Sequence, residues 1–468
     1  MLHLHFRYLS FFFGIVSLLS FFNIIYSYYF NLYLNINTYY ITLSISSILG
    51  FLFYKLNIKK KKQSIFDKIL TVFFGYILIP LVLSIPFYLS IYNLTFINSY
   101  FESISGFTST GFTIFNNIKN IDQSLILWRS SSQWIGGLYF LFSIIFLIDI
   151  YDENLKKTLT NFISFDSAEV LKQAFKIFLL YSSLTLLIFL VLNFISIRSF
   201  ISLNLAFSLI SSGGFLPVNE LSSILKEDAQ IIILSLLMLT SFFSIFFTYN
   251  LFFFKKKNLN FLYEDLHLIF YLVIITGIFF LFFSFKSDFF TNFLSIATSI
   301  SNIGFSLDIN QKNLSLLFLI LVIIGGSFFS TSSGLRFIKI YSLFKYSLNQ
   351  ILSFSKPKNI FTNKLIFTKI NFDFNEINRY FLTILIFILS LIILSSLLTL
   401  NGIEFENSFK LSILTLMNTV NSSIYGLNEV NFNDLNHFLK YCLILFMIIG
   451  RIELLTILLL LKKFLFKN

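Results

Sequence analysis

Charge is scarce in this sequence of 468 residues: Asp, Glu, Lys and Arg together make up 12%, about half the share of a soluble domain. That shortfall excludes an ordinary water-soluble protein. A single cysteine, Cys442, excludes an intramolecular disulfide and a thiolate metal cluster. The four histidines (His3, His5, His267 and His437) are scattered and form no metal constellation. There is no G-x-x-x-x-G-K-[ST] phosphate loop and no G-x-G-x-x-G after a strand. A membrane-embedded enzyme needs converging acids, bases or a nucleophile, and the spans offer only Asp149, Arg451, Glu453 and dispersed hydroxyls. Residues 8–30 are too long and too apolar for a cleaved signal and no small-residue cleavage site follows. They read as a first membrane helix.

Hydrophobic residues make up 56% of the chain and aromatic residues 20%. Apolar stretches recur throughout, each near the roughly 20 residues needed to cross the hydrocarbon core. The reading is an all-α polytopic membrane protein. The net charge of +12 does not point to nucleic acid, because its distribution is one-sided. With a cytoplasmic N-terminus, 25 of the 34 Lys and Arg fall on the inner side, including Lys59 to Lys62, Lys255 to Lys257 and Lys462, Lys463 and Lys467. That is the positive-inside asymmetry that orients membrane helices. The outer segments are mildly acidic, which favours cations over anions.

Two leading helices, about 8–30 and 38–56, precede a pattern that occurs four times. Each copy has a long apolar helix, a shorter segment rich in Ser, Thr, Asn and Gly, and a second long apolar helix. The first helices are expected at 68–92, 171–197, 264–285 and 379–400. The second helices are expected at 123–150, 229–254, 314–353 and 437–464. Domain boundaries follow: 1–60 for the leading pair, then repeats at 61–155, 156–258, 259–355 and 356–468.

The short segments between them carry the chemistry. They read Phe101-Glu-Ser-Ile-Ser-Gly-Phe-Thr-Ser-Thr-Gly-Phe112, Ala206-Phe-Ser-Leu-Ile-Ser-Ser-Gly-Gly-Phe215 and Ala297-Thr-Ser-Ile-Ser-Asn-Ile-Gly-Phe305. Each is too short to span and too apolar for a solvated loop. A re-entrant helix followed by an extended strip fits both facts, since irregular backbone at membrane depth survives only when buried in protein or lining water. A short helix entering from outside aims its partly negative C-terminal end at the membrane centre. The strip after it can turn carbonyls inward to replace the hydration shell of a cation. Gly111, Gly214 and Gly304 are the candidate central residues, where backbone angles are needed that other residues resist.

At this point the motifs resemble a known family. The chain is similar to the TrkH branch of the Trk/Ktr/HKT potassium transporters over nearly its whole length. Phe101 to Thr113 resembles the first filter, and Leu127-Trp-Arg-Ser-Ser-Ser-Gln-Trp-Ile-Gly-Gly137 the start of the following helix. Ile324-Gly-Gly-Ser-Phe-Phe-Ser-Thr-Ser-Ser-Gly-Leu-Arg336 resembles the broken helix of the third repeat, and Gly450-Arg-Ile-Glu-Leu-Leu-Thr456 the last helix. The resemblance implies four M1–pore loop–M2 repeats around a pseudo-fourfold pore, within a homodimer in the bacterial inner membrane. It implies potassium as substrate, no cofactor in the chain itself, and a separate TrkA-type cytoplasmic nucleotide-binding subunit. It carries the filter to Thr110 and Gly111, to Ser212, Gly213 and Gly214, and to Asn302, Ile303 and Gly304. The gate it carries to Gly325, Gly326, Ser330, Thr331 and Gly334, with Arg451 on the conduction path. The run 325–334 holds three glycines and five Ser or Thr, a composition that breaks a helix.

The fourth strip, Met417-Asn-Thr-Val-Asn-Ser-Ser-Ile-Tyr-Gly-Leu427, departs from the other three. Matching Gly426 to the later glycine of the family places Ser423 and Ile424 in the filter; matching Gly426 to the filter itself shifts the register by two. A sodium-permeable or sodium-coupled transporter of the same fold is therefore the alternative reading. Glu102 is expected at the positive N-terminal end of the first pore helix, and Trp128 and Arg129 as anchors near the outer interface.

Overall fold

The computed structural model describes residues 6–56, 65–147, 170–253, 263–283, 289–307, 314–354, 374–427 and 430–452. Asp149, Glu453 and the continuation of the last helix to residue 464 lie outside them.

The leading pair is α1 (Phe6–Tyr29) packed along α2 (Ile36–Lys55). The first repeat opens with α3 (Ile65–Leu83), which carries Pro80 in its last turn. A one-turn α4 (Ile85–Tyr88) with Pro86 in its first turn replaces the expected run to residue 92. Proline removes a backbone donor and crowds the preceding turn, so the long helix ends early. The pore helix α5 (Phe96–Phe107) and the second long helix α6 (Gln123–Phe146) complete the repeat. The second repeat runs α7 (Val170–Phe194), pore helix α8 (Ser199–Ser211), α9 (Asp228–Phe242) and α10 (Ile245–Phe252). The third has α11 (Tyr263–Phe283), pore helix α12 (Phe289–Ile300), α13 (Ser315–Ile323) and α14 (Phe337–Ser353). The fourth has α15 (Phe374–Leu400), pore helix α16 (Phe405–Leu416) and α17 (His437–Ile452).

Among the described residues six helices are long and apolar enough to cross a membrane. The packing closes into a ring. The second helix of each repeat lies against the pore helix of the next: α6 on α8, α9 on α12, α13 on α16, and α17 back on α5. No pore helix spans; each ends in the buried middle of this ring, followed by non-helical backbone.

Two second helices are broken, where one break was expected. In the third repeat, residues 326–334 leave the helix and return, and Ile324–Gly325 (β1) pairs in parallel with Leu335–Arg336 (β2). Because the two pieces pair in parallel, the chain resumes its original direction after the loop. Gly325 and Gly334 meet closely; a Cβ on Gly334 would lie 2.8 Å from the Gly325 α-carbon, and Gly334 has φ +82°. In the second repeat, the helix stops at Phe242 and restarts at Ile245, with Ser244 as the N-cap of α10.

Both breaks are held by one pair of adjacent carboxylates at the start of α11. Asp265 accepts from the Ser244 backbone N–H at 2.9 Å and from the Ser244 hydroxyl at 2.7 Å. Glu264 accepts from the Phe328 N–H at 3.0 Å and the Ser327 hydroxyl at 3.1 Å. These bonds satisfy donors that the broken helices release. Replacing Asp265 by Ala strands the buried Ser244 N–H, at a cost of about 1–3 kcal/mol. The expected outcome is a lower thermal midpoint in detergent for Asp265→Ala and a smaller loss for Asp265→Asn; equal midpoints for wild type and Asp265→Ala would contradict this role.

Candidate ion-conduction site

Each pore helix ends in the same way. Its last turn is followed by a residue in the left-handed conformation: Ser109 (φ 57°), Ser212 (φ 57°), Asn302 (φ 59°) and Asn418 (φ 48°). The next N–H donates five residues back to a pore-helix carbonyl: Thr110 to Ser105 (2.9 Å), Gly213 to Ser208 (2.7 Å), Ile303 to Thr298 (3.1 Å) and Thr419 to Leu414 (2.9 Å). This is the C-terminal capping geometry that left-handed residues permit. Two residues beyond each left-handed position stand Gly111, Gly214, Gly304 and Val420. They converge. A Cβ built on Gly111 would lie 2.7 Å from the Gly214 α-carbon, and one on Gly214 would lie 2.5 Å from Val420 Cβ and 3.0 Å from the Ile303 carbonyl oxygen. One on Gly304 would lie 2.6 Å from Val420 Cγ1 and 2.9 Å from the Val420 carbonyl oxygen.

Gly111, Gly214 and Gly304 come together at the ends of three pore helices, and in the fourth strip Val420, not Ile424, stands at the equivalent position. Ser423 and Ile424 are not in the strip: Ser423–Tyr425 forms a 3-10 turn beyond it, and Gly426 caps that turn with φ 61°. The Gly426 carbonyl accepts from Lys410 Nζ at 2.9 Å, which is also 2.6 Å from Glu406 on the same helix. That amine holds the exposed Glu406 carboxyl below its ordinary range. The residue standing in the fourth position is Val420. The signal for it was present: Asn418-Thr-Val-Asn follows the fourth pore helix as Asn302-Ile-Gly-Phe follows the third, and asparagine is among the few residues at ease in the left-handed region. The search for glycine pointed past it.

The strips are tied to the protein around them. The aromatic residues after the three glycines, Phe112, Phe215 and Phe305, are buried. Ser208 Oγ donates to the Phe215 carbonyl at 2.8 Å, and the Phe305 N–H donates to Thr298 Oγ1 at 2.7 Å. Glu102 serves the first strip, but not from the helix start. It lies in the middle of α5, fully buried, and accepts from the Ile114 N–H at 2.9 Å, the Thr113 hydroxyl at 3.1 Å and Arg129 Nε at 2.8 Å. Arg129 and Trp128 are correspondingly buried rather than interfacial. The Arg129 guanidinium lies 4.2 Å from the centre of the Phe215 ring, so one ion pair joins the first strip to the second. A charge at this depth is affordable only with such partners.

Beneath the strips lie the loop 326–334 and Arg451. Thr331 Oγ1 donates to the Ile210 carbonyl at 2.7 Å, near the end of the second pore helix. The Ser327 and Ser332 N–H groups donate to the Phe242 and Ser241 carbonyls at 3.0 Å, at the break between α9 and α10. Gly326 N–H donates to Ser332 Oγ at 3.0 Å, and Ser330 is bonded within the loop. Arg336 braces the loop from its end, donating to the Ser327 carbonyl at 3.0 Å and to Ser330 Oγ and the Ser332 carbonyl at 3.1 Å. Arg451 donates to Ser333 Oγ, to Ser109 Oγ at 3.3 Å and to the Ser211 carbonyl at 3.4 Å. Among the described residues no carboxylate pairs with it. Ser333 in turn donates to Asn418 Oδ1 at 3.4 Å, and Asn418 Nδ2 donates to Thr110 Oγ1 at 3.0 Å and the Met447 carbonyl at 2.9 Å. The Phe140 ring receives both guanidinium groups, Arg451 at 4.0 Å and Arg336 at 5.0 Å. The loop and Arg451 come together here, and they are joined by Asn418, Ser333 and Phe140, whose contacts link distant repeats and so leave no signal in the sequence.

No family model matches the chain. Among curated proteins it is 26% identical over 330 residues to an uncharacterized cation transporter of Methanocaldococcus jannaschii, covering 67% of this chain and 66% of that protein. It is 22% identical over 438 residues to the Trk system potassium uptake protein TrkG of Escherichia coli, 86% of each chain. The Escherichia coli protein TrkH is 24% identical over 391 residues, 79% of each. Among solved structures, the potassium transporter TrkH from Vibrio parahaemolyticus superposes with a TM-score of 0.79 at 20% identity, over 97% of this chain and 98% of that one. The fold is that of TrkH, as the motifs led one to expect.

Removing one partner of the Glu102–Arg129 pair leaves a buried charge uncompensated, worth about 3–5 kcal/mol. Glu102→Ala is expected to lower the thermal midpoint strongly, and the double variant Glu102→Ala/Arg129→Leu to recover part of the loss. A double variant no more stable than the single would show that the charges do not compensate each other.

Proposed function

We propose that this TrkH-type membrane protein, which is not an enzyme, mediates potassium uptake through the ring formed by its four pore-loop strips. The observation that carries this reading is the common register of Gly111, Gly214, Gly304 and Val420 at the ends of four inward-facing pore helices. Backbone carbonyls of the strips, starting at Thr110, Ser212 and Gly213, Asn302 and Ile303, and Thr419, would replace water around the ion. The four pore helices add the partial negative charge of their C-terminal ends. Glycine at three positions leaves the ring lined by backbone.

The loop with Gly325, Gly326, Ser330, Thr331 and Gly334 would act as the gate below the ring. Its bonds to the Ile210, Ser241 and Phe242 carbonyls would hold it closed. Arg451 beside Ser109 would set an electrostatic barrier to cations at the inner end. In this reading the division is 1–60 for the leading helices, then 61–155, 156–258, 259–355 and 356–468 for the repeats. The chain would sit in a bacterial inner membrane with its N-terminus cytoplasmic, as a homodimer regulated by a TrkA-type nucleotide-binding subunit on the basic inner face. A second reading, sodium permeation, is favoured by one observation: Val420 stands where the other strips have glycine.

Uptake of rubidium and sodium into liposomes with the purified protein tests both. The expected result is rubidium flux driven by membrane potential. Arg451→Ala should raise it by roughly tenfold or more, since about 1.4 kcal/mol of barrier corresponds to a factor of ten. Unchanged flux in Arg451→Ala would reject the barrier; sodium flux equal to rubidium would favour the second reading.

A further inference from the structure

The fourth position of the ring holds a side chain where the other three hold none. Its placement is specific. Val420 Cβ lies against Gly214 and Cγ1 against Gly304, so that even one added carbon on either glycine would fall 2.5 Å or 2.6 Å from the isopropyl group. Gly111 closes the remaining side against the Gly214 backbone. The three glycines are buried, whereas Val420 is partly exposed. Its isopropyl group thus bridges the second and third strips and covers the buried glycines.

We infer that Val420 is a specificity-determining obstruction in the ring: a hydrocarbon plug that a permeating cation must displace. This rests on the conduction proposed above and adds to it a residue that limits rate and ion choice. The physical case has three parts. An isopropyl group offers nothing to a dehydrated cation, so while it bridges the strips it removes coordination that carbonyls would supply. A β-branched side chain is stiff about χ1, so it does not swing aside freely. The backbone of the fourth strip is nonetheless compatible with valine, because Val420 is not among the residues of positive φ, whereas Gly111 and Gly304 are at +82°. The side chain is therefore seated without backbone strain and stays in place. Once it moves aside, the carbonyls of the fourth strip share their opening with a displaced side chain, which weakens discrimination between potassium and sodium.

The test compares wild type with Val420→Gly, Val420→Ala and Val420→Ile in liposomes, each first shown to be monodisperse. Rubidium uptake is expected to rise at least tenfold in Val420→Gly, to rise less in Val420→Ala, and not to rise above the wild-type rate in the β-branched, all-hydrocarbon Val420→Ile. The rubidium-to-sodium ratio should rise with the rate in Val420→Gly. Thermal midpoints in potassium and in a large organic cation provide a readout that does not depend on the gate: Val420→Gly should gain a potassium-dependent rise that wild type lacks. If Val420→Gly conducts at the wild-type rate and gains no such rise, the plug is refuted while conduction stands. If neither protein passes any cation but the potassium-dependent rise appears in Val420→Gly, the plug stands and the uptake reading falls. Absence of both flux and rise in all variants overturns both.

Discussion

Backbone that leaves a helix at membrane depth has no water to turn to, and every freed N–H and C=O must find a partner inside the protein. Much of this molecule can be read as the solution to that constraint. Four strips and one loop are non-helical in the buried centre, and they satisfy one another. The loop takes its acceptors from the ends of α8 and α9 at Ile210, Ser241 and Phe242. The fourth strip reaches the first through Asn418 and Thr110. Glu264 and Asp265 supply acceptors from a neighbouring helix to the two broken ones. The consequence is cooperativity: the loop cannot leave its place without exposing carbonyls at the end of a pore helix.

The ring of repeats is built by one rule and used unevenly. Each second helix leans on the next pore helix, which closes the circle. Among the described residues the third repeat turns its break into a long loop braced by Arg336, and the fourth contributes Arg451 beneath the strips. Arg336 and Arg451 approach the same Phe140 ring from different repeats. An aromatic face attracts each cation, and this shared face accommodates two like charges close to one another. The departures from symmetry supply the bonded loop and the two arginines; the symmetric frame supplies position.

The frame itself was legible in the sequence because its signals are local and repeated: apolar length, a short polar segment, then apolar length again. The break at 325–334 was legible from its glycines and hydroxyls. What escaped were features set by distant partners. Glu102 reads as a helix-start carboxylate, yet it is fully buried with Arg129, twenty-seven residues on. The break at Ser244 carries no glycine or proline and depends on Asp265 from another helix. The fourth strip was sought by its glycine, and Gly426 caps a turn instead. The conserved element of the geometry was the left-handed residue two places earlier, which a serine or an asparagine can fill.

The backbone at the ring follows a twofold pattern within the fourfold frame. Gly111 and Gly304 have φ +82°, while Gly214 and Val420 do not share that conformation. Two alternate strips are thus closed to any L-residue with a side chain, and the other two are open to substitution as far as their own backbone is concerned. Yet those two compete for one space, since a carbon on Gly214 would fall 2.5 Å from Val420 Cβ. At most one of them can carry a side chain at a time. A valine at 420 therefore commits position 214 to glycine, and any lineage that gave position 214 a larger residue would first have to surrender the one at 420.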